Sequence, residues 1–408
     1  MSGPRPTVLF YCQHSLGLGH LVRSFALAGA LAERFRVVLL NGGRLPRGFP
    51  VPAGVEVESL PPLGMDVDGT LVSEDRRRSP ERALELRRER MLALQAELRP
   101  EVVLVELFPF GRKKFAPELL PLLEAARAAG AMTVCSLRDI LVGSRRDQAR
   151  FEEVASVRAN ALLDAILVHA DPRFARLEDS FSPATPLRVP VHYTGFVLPA
   201  ERGERTLAPS PSPPAPDRPR VLVSTGGGAY GGALVAAAVD AHDAALAAAG
   251  VDVRIVAGPF LPEDEWRALR AAAGARPGLE AVRSVPDLRA ELRAASASVS
   301  QCGYNTALDL LSSGVPALVV PFAEGREDEQ TRRAERLERL GAVRVLEAAR
   351  ADGPSLAAAV LDVLRFRPEP VTLDLDGART SALTVANLLA RRNAPAPDPA
   401  RPLVGVPA

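Results

Sequence analysis

The chain has 408 residues, and its composition, 47% hydrophobic and 24% charged, is typical of a soluble globular protein. This length exceeds what one ordinary hydrophobic core accommodates, so two domains of roughly 200 residues each are expected. The formal net charge of +1 argues against a nucleic-acid-binding protein and gives no general attraction to an acidic surface.

The cysteines and the apolar segments bear on redox state and location. Cys12, Cys135 and Cys302 are far apart and odd in number, so a disulfide framework is not expected, and none has a neighbour at zinc-site spacing. The first strand-like run begins at residue 7, which leaves no room for a signal peptide. No apolar stretch approaches the roughly 20 residues of a membrane span. We therefore expect a cytoplasmic protein.

In the first half of the chain, short β-rich runs alternate with longer helical patterns, as in parallel sheets joined by crossover helices. The pattern predicts strands at residues 8–13, 37–41, 55–60, 102–107, 133–137, 166–169 and 189–194. It predicts helices at residues 20–34, 80–98 and 117–129. A segment rich in Pro, Ser and charge follows and is typical of an interdomain linker.

A second alternating series predicts strands at residues 221–224, 253–257, 297–301 and 317–321. The helices of this series are predicted near residues 233–249, from 262, and at 287–294, 305–312, 329–340 and 380–392. The chain therefore divides into an N-terminal domain (1–198), a linker (199–219), a C-terminal domain (220–375), a helix that crosses back (376–393) and a disordered tail (394–408). Two such sheets would bind ligands in the cleft at their strand C-terminal ends.

The first candidate site is a glycine-rich segment between a strand and a helix, residues 13–23, with the sequence QHSLGLGHLVR. Gly17 and Gly19 would let a ligand approach the backbone, and the N-terminus of the next helix favours negative charge. His20 would lie at the mouth of this turn, where a group with a pKa near neutrality can act as a general base. The same pattern is compatible with a helix-capping loop and a packed histidine.

Two glycine-containing turns predict a phosphate site in the second half. Residues 224–228, STGGG, directly follow a strand, and consecutive glycines are costly there unless the backbone bends or meets a ligand. In residues 301–309, QCGYNTALD, a strand ends and a helix begins with its free N–H groups directed at the cleft. Asp309 lies one turn further along that helix, where a carboxylate can bind a vicinal diol such as ribose.

The loop after the next buried strand, residues 321–330, is polar and has the sequence PFAEGREDEQ. It ends in Glu329 and Gln330, an acid–amide pair that suits the hydroxyls of a sugar. Taken alone, this pair is better explained as the ordinary charged start of a helix.

In this order, the motifs resemble the inverting glycosyltransferases of the GT-B fold, specifically the MurG-type peptidoglycan N-acetylglucosaminyltransferases and the bacterial predicted glycosyltransferases related to that family 28 group. The resemblance is carried by residues 303–306, 314–316 and 329–330 and by 17–23. The segments ELFPFGR and SLRD, at residues 106–112 and 136–139, also look like family signatures. The resemblance covers about residues 7–392 and implies two Rossmann-like α/β domains that face a central cleft, with the acceptor on the first and the nucleotide sugar on the second.

The resemblance also implies roles for individual residues. His20 is similar to the base that deprotonates an acceptor hydroxyl, and Glu106 or Asp139 would hold its imidazole in the useful tautomer. On the acceptor side it implies His14, Arg23 and Arg138. The implied donor-binding residues are those of the glycine turns, the base-reading segment and the ribose and sugar contacts: Gly17, Gly19, Gly226, Gly227, Gly228, Ser284, Val285, Gln301, Cys302, Gly303, Tyr304, Asn305, Thr306, Asp309, Glu329 and Gln330.

The sequence departs from the family pattern at three positions. Asp309 stands where Glu is usual, Cys302 where Gly or Ser is more common, and Gln301 where some natural-product relatives have His. The expected donor is a UDP-linked N-acetylhexosamine or glucose, with a dTDP sugar as an alternative. No cofactor and no metal are expected, because the Asp-x-Asp triplets at residues 66–68 and 374–376 lie outside the predicted strand ends that face the cleft.

Other functions stay open at this point. A nucleotide-sugar hydrolase of this fold would use His20 to activate water, and a 2-epimerase would need more carboxylates in the cleft. A non-catalytic partner subunit would bind an active transferase. The arginine-rich segment 76–90 is expected to be a solvated helix face, with transient contact to a membrane surface as the alternative. Neither the acceptor nor the oligomeric state follows from the sequence.

Overall fold

A computed structural model describes residues 5–14, 18–46, 48–66, 69–75, 77–198, 218–227, 230–322 and 328–394. The predicted interdomain linker at 199–219 and the predicted disordered tail at 394–408 lie almost entirely outside these residues. Within the described part of the chain, no helix is both long enough and apolar enough to span a membrane.

The first domain is built on a seven-stranded sheet in which all neighbouring strands are parallel. Its strands, in chain order, are β1 (Thr7–Cys12), β2 (Arg36–Asn41), β3 (Val55–Ser59), β6 (Val102–Glu106), β7 (Met132–Arg138), β8 (Ala165–His169) and β9 (Val191–Tyr193). Their spatial order is β3-β2-β1-β6-β7-β8-β9. Every residue of β1 and β6 is buried, which explains why both strands are continuous apolar runs without alternation.

Four helices cover this sheet: α1 (Gly19–Ala32), α2 (Pro80–Leu98), α3 (Ala116–Ala128) and α4 (Gln148–Leu162). A two-stranded antiparallel hairpin, β4 (Leu63–Met65) and β5 (Leu71–Ser73), stands apart from the main sheet. The hairpin and α4 were not predicted from the sequence. The hairpin strands are too short to show a period, and α4 is only weakly amphipathic because Val154 and Val157 are exposed while Glu152 is buried.

The second domain contains a six-stranded parallel sheet. Its strands, in chain order, are β10 (Arg220–Ser224), β11 (Asp252–Val256), β12 (Leu279–Val282), β13 (Ala297–Ser300), β14 (Ala317–Val319) and β15 (Arg344–Val345). Their spatial order is β12-β11-β10-β13-β14-β15. Its helices are α5 (Gly232–Ala241), α6 (Glu263–Gly274), α7 (Leu288–Ala294), α8 (Tyr304–Ser313), α9 (Glu329–Arg339) and α10 (Gly353–Val363). The strands β12 and β15 and the helix α10 were not predicted from the sequence.

The last helix, α11 (Gly377–Asn393), lies against α1 of the first domain. Its Ala382 and Val385 share an apolar cluster with Leu21 and Phe25 of α1. The chain thus returns to the first domain after completing the second.

The two passages of the chain between the domains are hydrogen-bonded to each other. Phe196 N donates to Asp374 O over 2.7 Å, and Gly377 N donates to Phe196 O over 3.0 Å. Val197 and Asp376 form an antiparallel bridge between the same segments. A side chain at Gly377 would place its Cβ only 2.2 Å from Gly195 O, so this close pairing requires glycine.

A buried ion pair in the first domain fixes the end of β1. Arg87 of α2 and Glu118 of α3 are both fully buried and joined by two hydrogen bonds, of 2.8 and 2.7 Å. Arg87 also donates to Gln13 Oε1 (2.8 Å) and to Gly42 O (2.6 Å), and Tyr11 donates its hydroxyl proton to Glu118. The network ties two helices to the loop that leads from β1 towards α1.

We expect Arg87→Ala to lower the free energy of unfolding of the first domain by about 3–5 kcal/mol, because it leaves the carboxylate of Glu118 buried without its cation. Urea unfolding followed by circular dichroism measures this change. The matched control is Arg90→Ala on the same helix, whose guanidinium is 44% exposed and pairs with Glu58 at the surface. Such surface pairs contribute roughly 0–1 kcal/mol. Equal effects of the two substitutions would contradict the structural role of Arg87.

Candidate active site

The strand order of each sheet sets the position of the candidate site. In the first sheet, the central neighbours β1 and β6 lead in opposite directions, β1 towards α1 and β6 towards α3. In the second sheet, the central neighbours β10 and β13 do the same, towards α5 and α8. Ligands bind outside the carboxyl ends of the strands at such switch points. The predicted segments 13–23, 106–112, 224–228 and 301–309 all begin at these four strand ends.

The centre of the first-domain site is a carboxylate surrounded by cations. Glu106, at the end of β6, is fully buried, and its Oε1 lies 2.6 Å from His20 Nδ1 at the start of α1. Arg23, one turn further along α1, donates to the same oxygen. Arg112 donates to Oε2 through Nε (3.2 Å) and Nη2 (3.0 Å). The imidazole of His20 is 24% exposed.

The charges around Glu106 set the protonation states of the pair. Burial alone would raise the pKa of Glu106, but His20, Arg112 and Arg23 outweigh it and hold the pKa well below its ordinary value. Burial lowers the pKa of His20 to about 3, and Arg112 and Arg23 add to this effect against the pull of Glu106. His20 is therefore neutral. Because the ionised carboxylate only accepts hydrogen bonds, Nδ1 carries the proton and Nε2 presents its lone pair.

The loop after β6 bends back so that Arg112 reaches Glu106. Leu107 and Arg112 both have positive φ angles, 68° and 57°, which are unusual for residues with side chains. A side chain at Gly111 would lie 2.7 Å from Leu107 Cδ2, so the bend needs glycine there. The local sequence thus folds this segment to place one guanidinium on the buried carboxylate.

The second-domain part of the site is the N-terminus of α8, which faces the N-terminus of α1. Asn305 Nδ2 donates to Gly19 O over 3.2 Å across the domain boundary. The residues before the two helices, Leu18 and Gly303, make no side-chain cap hydrogen bond. Both helices therefore direct first-turn backbone N–H groups, which no cap side chain bonds, and the positive ends of their dipoles at the same cleft.

Gly226 completes this region from the end of β10. It has a φ of +60°, and a side chain there or at Gly303 would point towards Thr306 Oγ1, at 4.0 and 3.9 Å. Among the described residues, no other atom lies within 4 Å of a Cβ added at either position, so the two glycines leave space around that hydroxyl. Gly227 O accepts a hydrogen bond from Phe260 N. Gly17 and Gly228 lie outside the described residues.

The predicted ribose residue, Asp309, has a protein partner in this structure. Arg289 Nε of α7 donates to Asp309 Oδ1 over 2.8 Å. Burial raises the pKa of Asp309, and Arg289 works against that effect. The segment with Ser284 and Val285 lies between β12 and α7, so the predicted base-reading and ribose residues flank the same short helix.

The predicted sugar pair is also engaged. Glu329, at the start of α9, accepts a hydrogen bond of 2.9 Å from Arg138 Nη1 of the first domain. Gln330 Oε1 accepts from the backbone N–H groups of Cys302 (3.0 Å) and Phe322 (3.2 Å). Arg138, predicted on the acceptor side, thus contacts a residue predicted to bind the donor.

Asp139 is not where one of the sequence hypotheses placed it. Glu106 alone of the two candidates contacts His20, whereas both oxygens of Asp139 pair with Arg333 of α9, at 2.7 and 2.8 Å. Asp139 and Arg333 are each about 1% exposed, and Arg333 also donates to Cys302 O. Asp139 therefore joins the two domains. The partners are 194 positions apart, so no local pattern in the sequence reveals the pair.

Several predicted residues are buried and do not line the cleft. His14 is 4% exposed and bonds to Asn41 Oδ1, and Arg23 is 2% exposed between Glu106 and the ring of Tyr304. The Tyr304 hydroxyl donates to His169 O and accepts from Val197 N, both in the first domain. Burial raises the pKa of the Cys302 thiol to about 12. These side chains therefore pack behind the residues that line the cleft.

Gln301 donates from Nε2 to Tyr230 O and borders a separate cavity of about 710 Å³. Of the described residues, only members of the second domain line this cavity, among them Phe322 and Glu335, so it is distinct from the cleft beside His20. The side chains in the described ranges form no group of three or more His, Cys, Asp or Glu residues able to hold a metal ion. Metal independence stays a prediction.

The comparisons with known proteins bear on the second domain and on the fold. Residues 222–382 match the glycosyltransferase family 28 C-terminal domain. CalG4, the calicheamicin glycosyltransferase, superposes with a TM-score of 0.60 at 18% identity over 97% of this chain and 100% of that one. The Acinetobacter baumannii MurG structure gives 0.55 at 15% identity over 95% and 99%. The GT-B fold and the resemblance inferred from the motifs are confirmed.

Two curated relatives share only part of their length with this chain. The UDP-N-acetylglucosamine--N-acetylmuramyl-(pentapeptide) pyrophosphoryl-undecaprenol N-acetylglucosamine transferase of Solibacter usitatus is 37% identical over 93 residues, or 22% of this chain and 26% of that protein. The protein of the same name from Corynebacterium glutamicum (strain R) is 29% identical over 165 residues, or 40% and 43%. The chain thus matches between about a quarter and two fifths of these relatives.

The charge balance at Glu106 predicts the titration of His20. We expect its imidazole to show no titration midpoint between pH 5 and pH 8 in histidine NMR spectra, with the resonance assigned by its loss in His20→Asn. Since Arg112 lowers the pKa of His20, Arg112→Met should raise that pKa, and since Glu106 raises it, Glu106→Gln should lower it. A midpoint near 6.5 in the unsubstituted protein would contradict this charge balance.

Proposed function

We propose that this protein is an inverting glycosyltransferase that moves a hexosyl or N-acetylhexosaminyl group from a nucleotide sugar to an acceptor hydroxyl. The observation that carries the proposal is the placement of a neutral imidazole beside two helix N-termini. His20 lies at the start of α1, the described residues give its Nε2 no hydrogen-bond partner, and the N-terminus of α8 lies directly across the cleft. A proton acceptor and an anion site thus meet at one place.

The leaving diphosphate fits the open space around the α8 N-terminus. Backbone N–H groups of the turn 303–306, the hydroxyl of Thr306 and the bend at Gly226 are the groups available there. Such amides stabilise negative charge as it develops, in a role that a metal ion fills in other enzymes. On this basis we propose that transfer needs no metal and no cofactor.

The donor we favour is UDP-linked. The curated relatives are named for UDP-N-acetylglucosamine, and their alignments fall in part of the chain only. A dTDP sugar is the alternative, since one GT-B structure with a TM-score of 0.53 and 19% identity, VinC, is a complex with dTDP. The ribose would bind Asp309, the base would meet the segment 283–285, and the sugar would meet Glu329 and Gln330.

The reaction is a single displacement at the anomeric carbon. The acceptor oxygen forms a bond to that carbon while the bond to the diphosphate oxygen breaks, and the diphosphate leaves with the electron pair. The acceptor proton passes to His20 Nε2. Glu106 stabilises the imidazolium through Nδ1–H and fixes its orientation, as the carboxylate of a catalytic triad does. General-base assistance of this kind contributes about 10²–10⁴-fold.

A neutral imidazole with a pKa near 3 is a weak proton acceptor. Binding of the nucleotide sugar would make His20 a stronger one by raising its pKa. In this structure, Arg23 and Arg112 face one carboxylate, so the surroundings of His20 carry an excess of positive charge. The diphosphate brings negative charge into the same cleft. A nearby anion favours the protonated imidazole, so the pKa of His20 should rise when the donor binds.

We expect His20→Ala to retain donor binding and to lose at least a hundredfold in transfer rate, because the proton acceptor is removed while the second domain is untouched. Release of the nucleoside diphosphate with and without candidate acceptors measures the rate, and it separates transfer from simple hydrolysis of the donor. His192→Ala, in β9 of the same domain, serves as the control. Near-normal turnover in the His20 variant would rule out its role as the base.

We expect Asp309→Ala to weaken the affinity for the nucleotide at least tenfold. Each hydrogen bond to a charged group is worth about 1.5–3 kcal/mol, and the ribose diol would lose two of them. Calorimetric titration with UDP and dTDP gives the affinities and also decides between the two donors. Asp264→Ala, an exposed residue on α6, is the control. Unchanged UDP affinity in the Asp309 variant would mean that the ribose lies elsewhere.

A further inference from the structure

A second cavity lies in the first domain beside the base. It measures about 330 Å³, within the range of ligand pockets, and it is lined by Gly111, Arg112, Lys113, Arg145, Asp147 and Phe151. The first three residues belong to the loop after β6 and the others to the segment leading into α4. Both segments follow carboxyl ends of strands in the first sheet, so the cavity opens at the same edge as His20.

Arg112 connects this cavity to the base. Its side chain is only 8% exposed, and its Nε and Nη2 atoms donate to Glu106, which holds His20. Within the described ranges, the remaining nitrogen, Nη1, has no hydrogen-bond partner. This guanidinium is nine-tenths buried and keeps one unused donor at a cavity wall, where it can bond to an acceptor atom of a ligand.

The other lining groups define the charge of the cavity. Arg112, Lys113 and Arg145 contribute three positive charges, and Asp147 contributes one negative charge. The guanidinium carbon of Arg145 lies 3.9 Å from the centre of the Phe151 ring, which holds this cation in place against an apolar face. Asp147 precedes α4 but makes no cap hydrogen bond, so the amides of the first turn of that 15-residue helix are uncapped by its side chain.

We infer that this cavity binds an oxyanion carried by the acceptor, a phosphate or a carboxylate group, and so selects an anionic acceptor whose hydroxyl then faces His20. The inference rests on the proposed function, since it places the acceptor relative to the base. The unused donor of Arg112 and the net positive charge favour an anion. The ring of Phe151 offers an apolar surface to the organic part of the same molecule.

The lysines allow a direct test, because Lys113 and Lys114 are the only two in the chain. Lys113 lines the cavity, whereas Lys114 is not among its lining residues and donates to Gly69 O. Pyridoxal phosphate forms an imine with a lysine amine and releases water, and borohydride then reduces the C=N bond to a stable secondary amine. Tandem mass spectrometry of the labelled peptide tells the two positions apart.

We expect pyridoxal phosphate to label Lys113 at least tenfold faster than Lys114, and inorganic pyrophosphate to suppress this labelling. Pyridoxal, which lacks the phosphate, should show neither the preference nor the protection. Equal labelling of both lysines, the same preference with pyridoxal, or no protection by either pyrophosphate or citrate would each overturn the inference. Protection by citrate in place of pyrophosphate would support the site and assign it to carboxylates.

A pair of neighbouring arginines supplies the matched variants. Arg145→Ala should weaken the protection by pyrophosphate at least tenfold, while Arg146→Ala, an exposed neighbour that does not line the cavity, should leave it unchanged. Equal protection in both variants would overturn the assignment. No sugar donor is present in these experiments, so their outcome is independent of whether His20 and Asp309 act as proposed.

Discussion

The structure depends most on the carboxylate of Glu106 at the carboxyl end of β6. Buried alone, this group would take up a proton, and the arginines around it would repel each other. Together they bind the start of α1, the loop after β6 and the imidazole of His20 into one unit. Arg23 extends this unit by stacking on Tyr304, whose hydroxyl bonds to the first domain. The contacts that hold His20 therefore extend to the second domain through Arg23 and Tyr304.

The polar side chains on the second-domain side of the cleft are hydrogen-bonded within the protein. Asp309, Glu329, Gln330 and Asn305 each have a protein partner, and for Glu329 and Asn305 this partner belongs to the first domain. A ligand must exchange these hydrogen bonds for its own, so the net gain per contact is smaller than the contact itself. At the centre of the cleft, no cap side chain bonds the first-turn backbone amides of α1 and α8. An anionic group of a ligand can therefore bind these amides without displacing a side-chain partner.

The sequence predicted the fold well where strands are buried and continuous, as at β1, β6, β10 and β13. Elements with little periodicity were missed, such as the hairpin at Leu63–Met65 and Leu71–Ser73 and the two-residue strand β15. In the site, strand ends and glycine turns located His20 and the α8 N-terminus, and the family resemblance pointed to Glu106. The pairing of Asp139 with Arg333 and of Asp309 with Arg289 was missed, because charged partners that meet only after folding leave no local pattern.

The paired passages between the domains constrain how the cleft can open. Because Phe196 and Val197 are bonded to the segment 374–377, the two connections cross at one place and behave as a single hinge. Rotation about this point changes the cleft width with little change of backbone pairing. The buried Arg333–Asp139 ion pair opposes opening of the cleft, because moving the domains apart would expose or separate its two charges. A change in length of the segment before residue 218 would leave both the hinge and this ion pair intact.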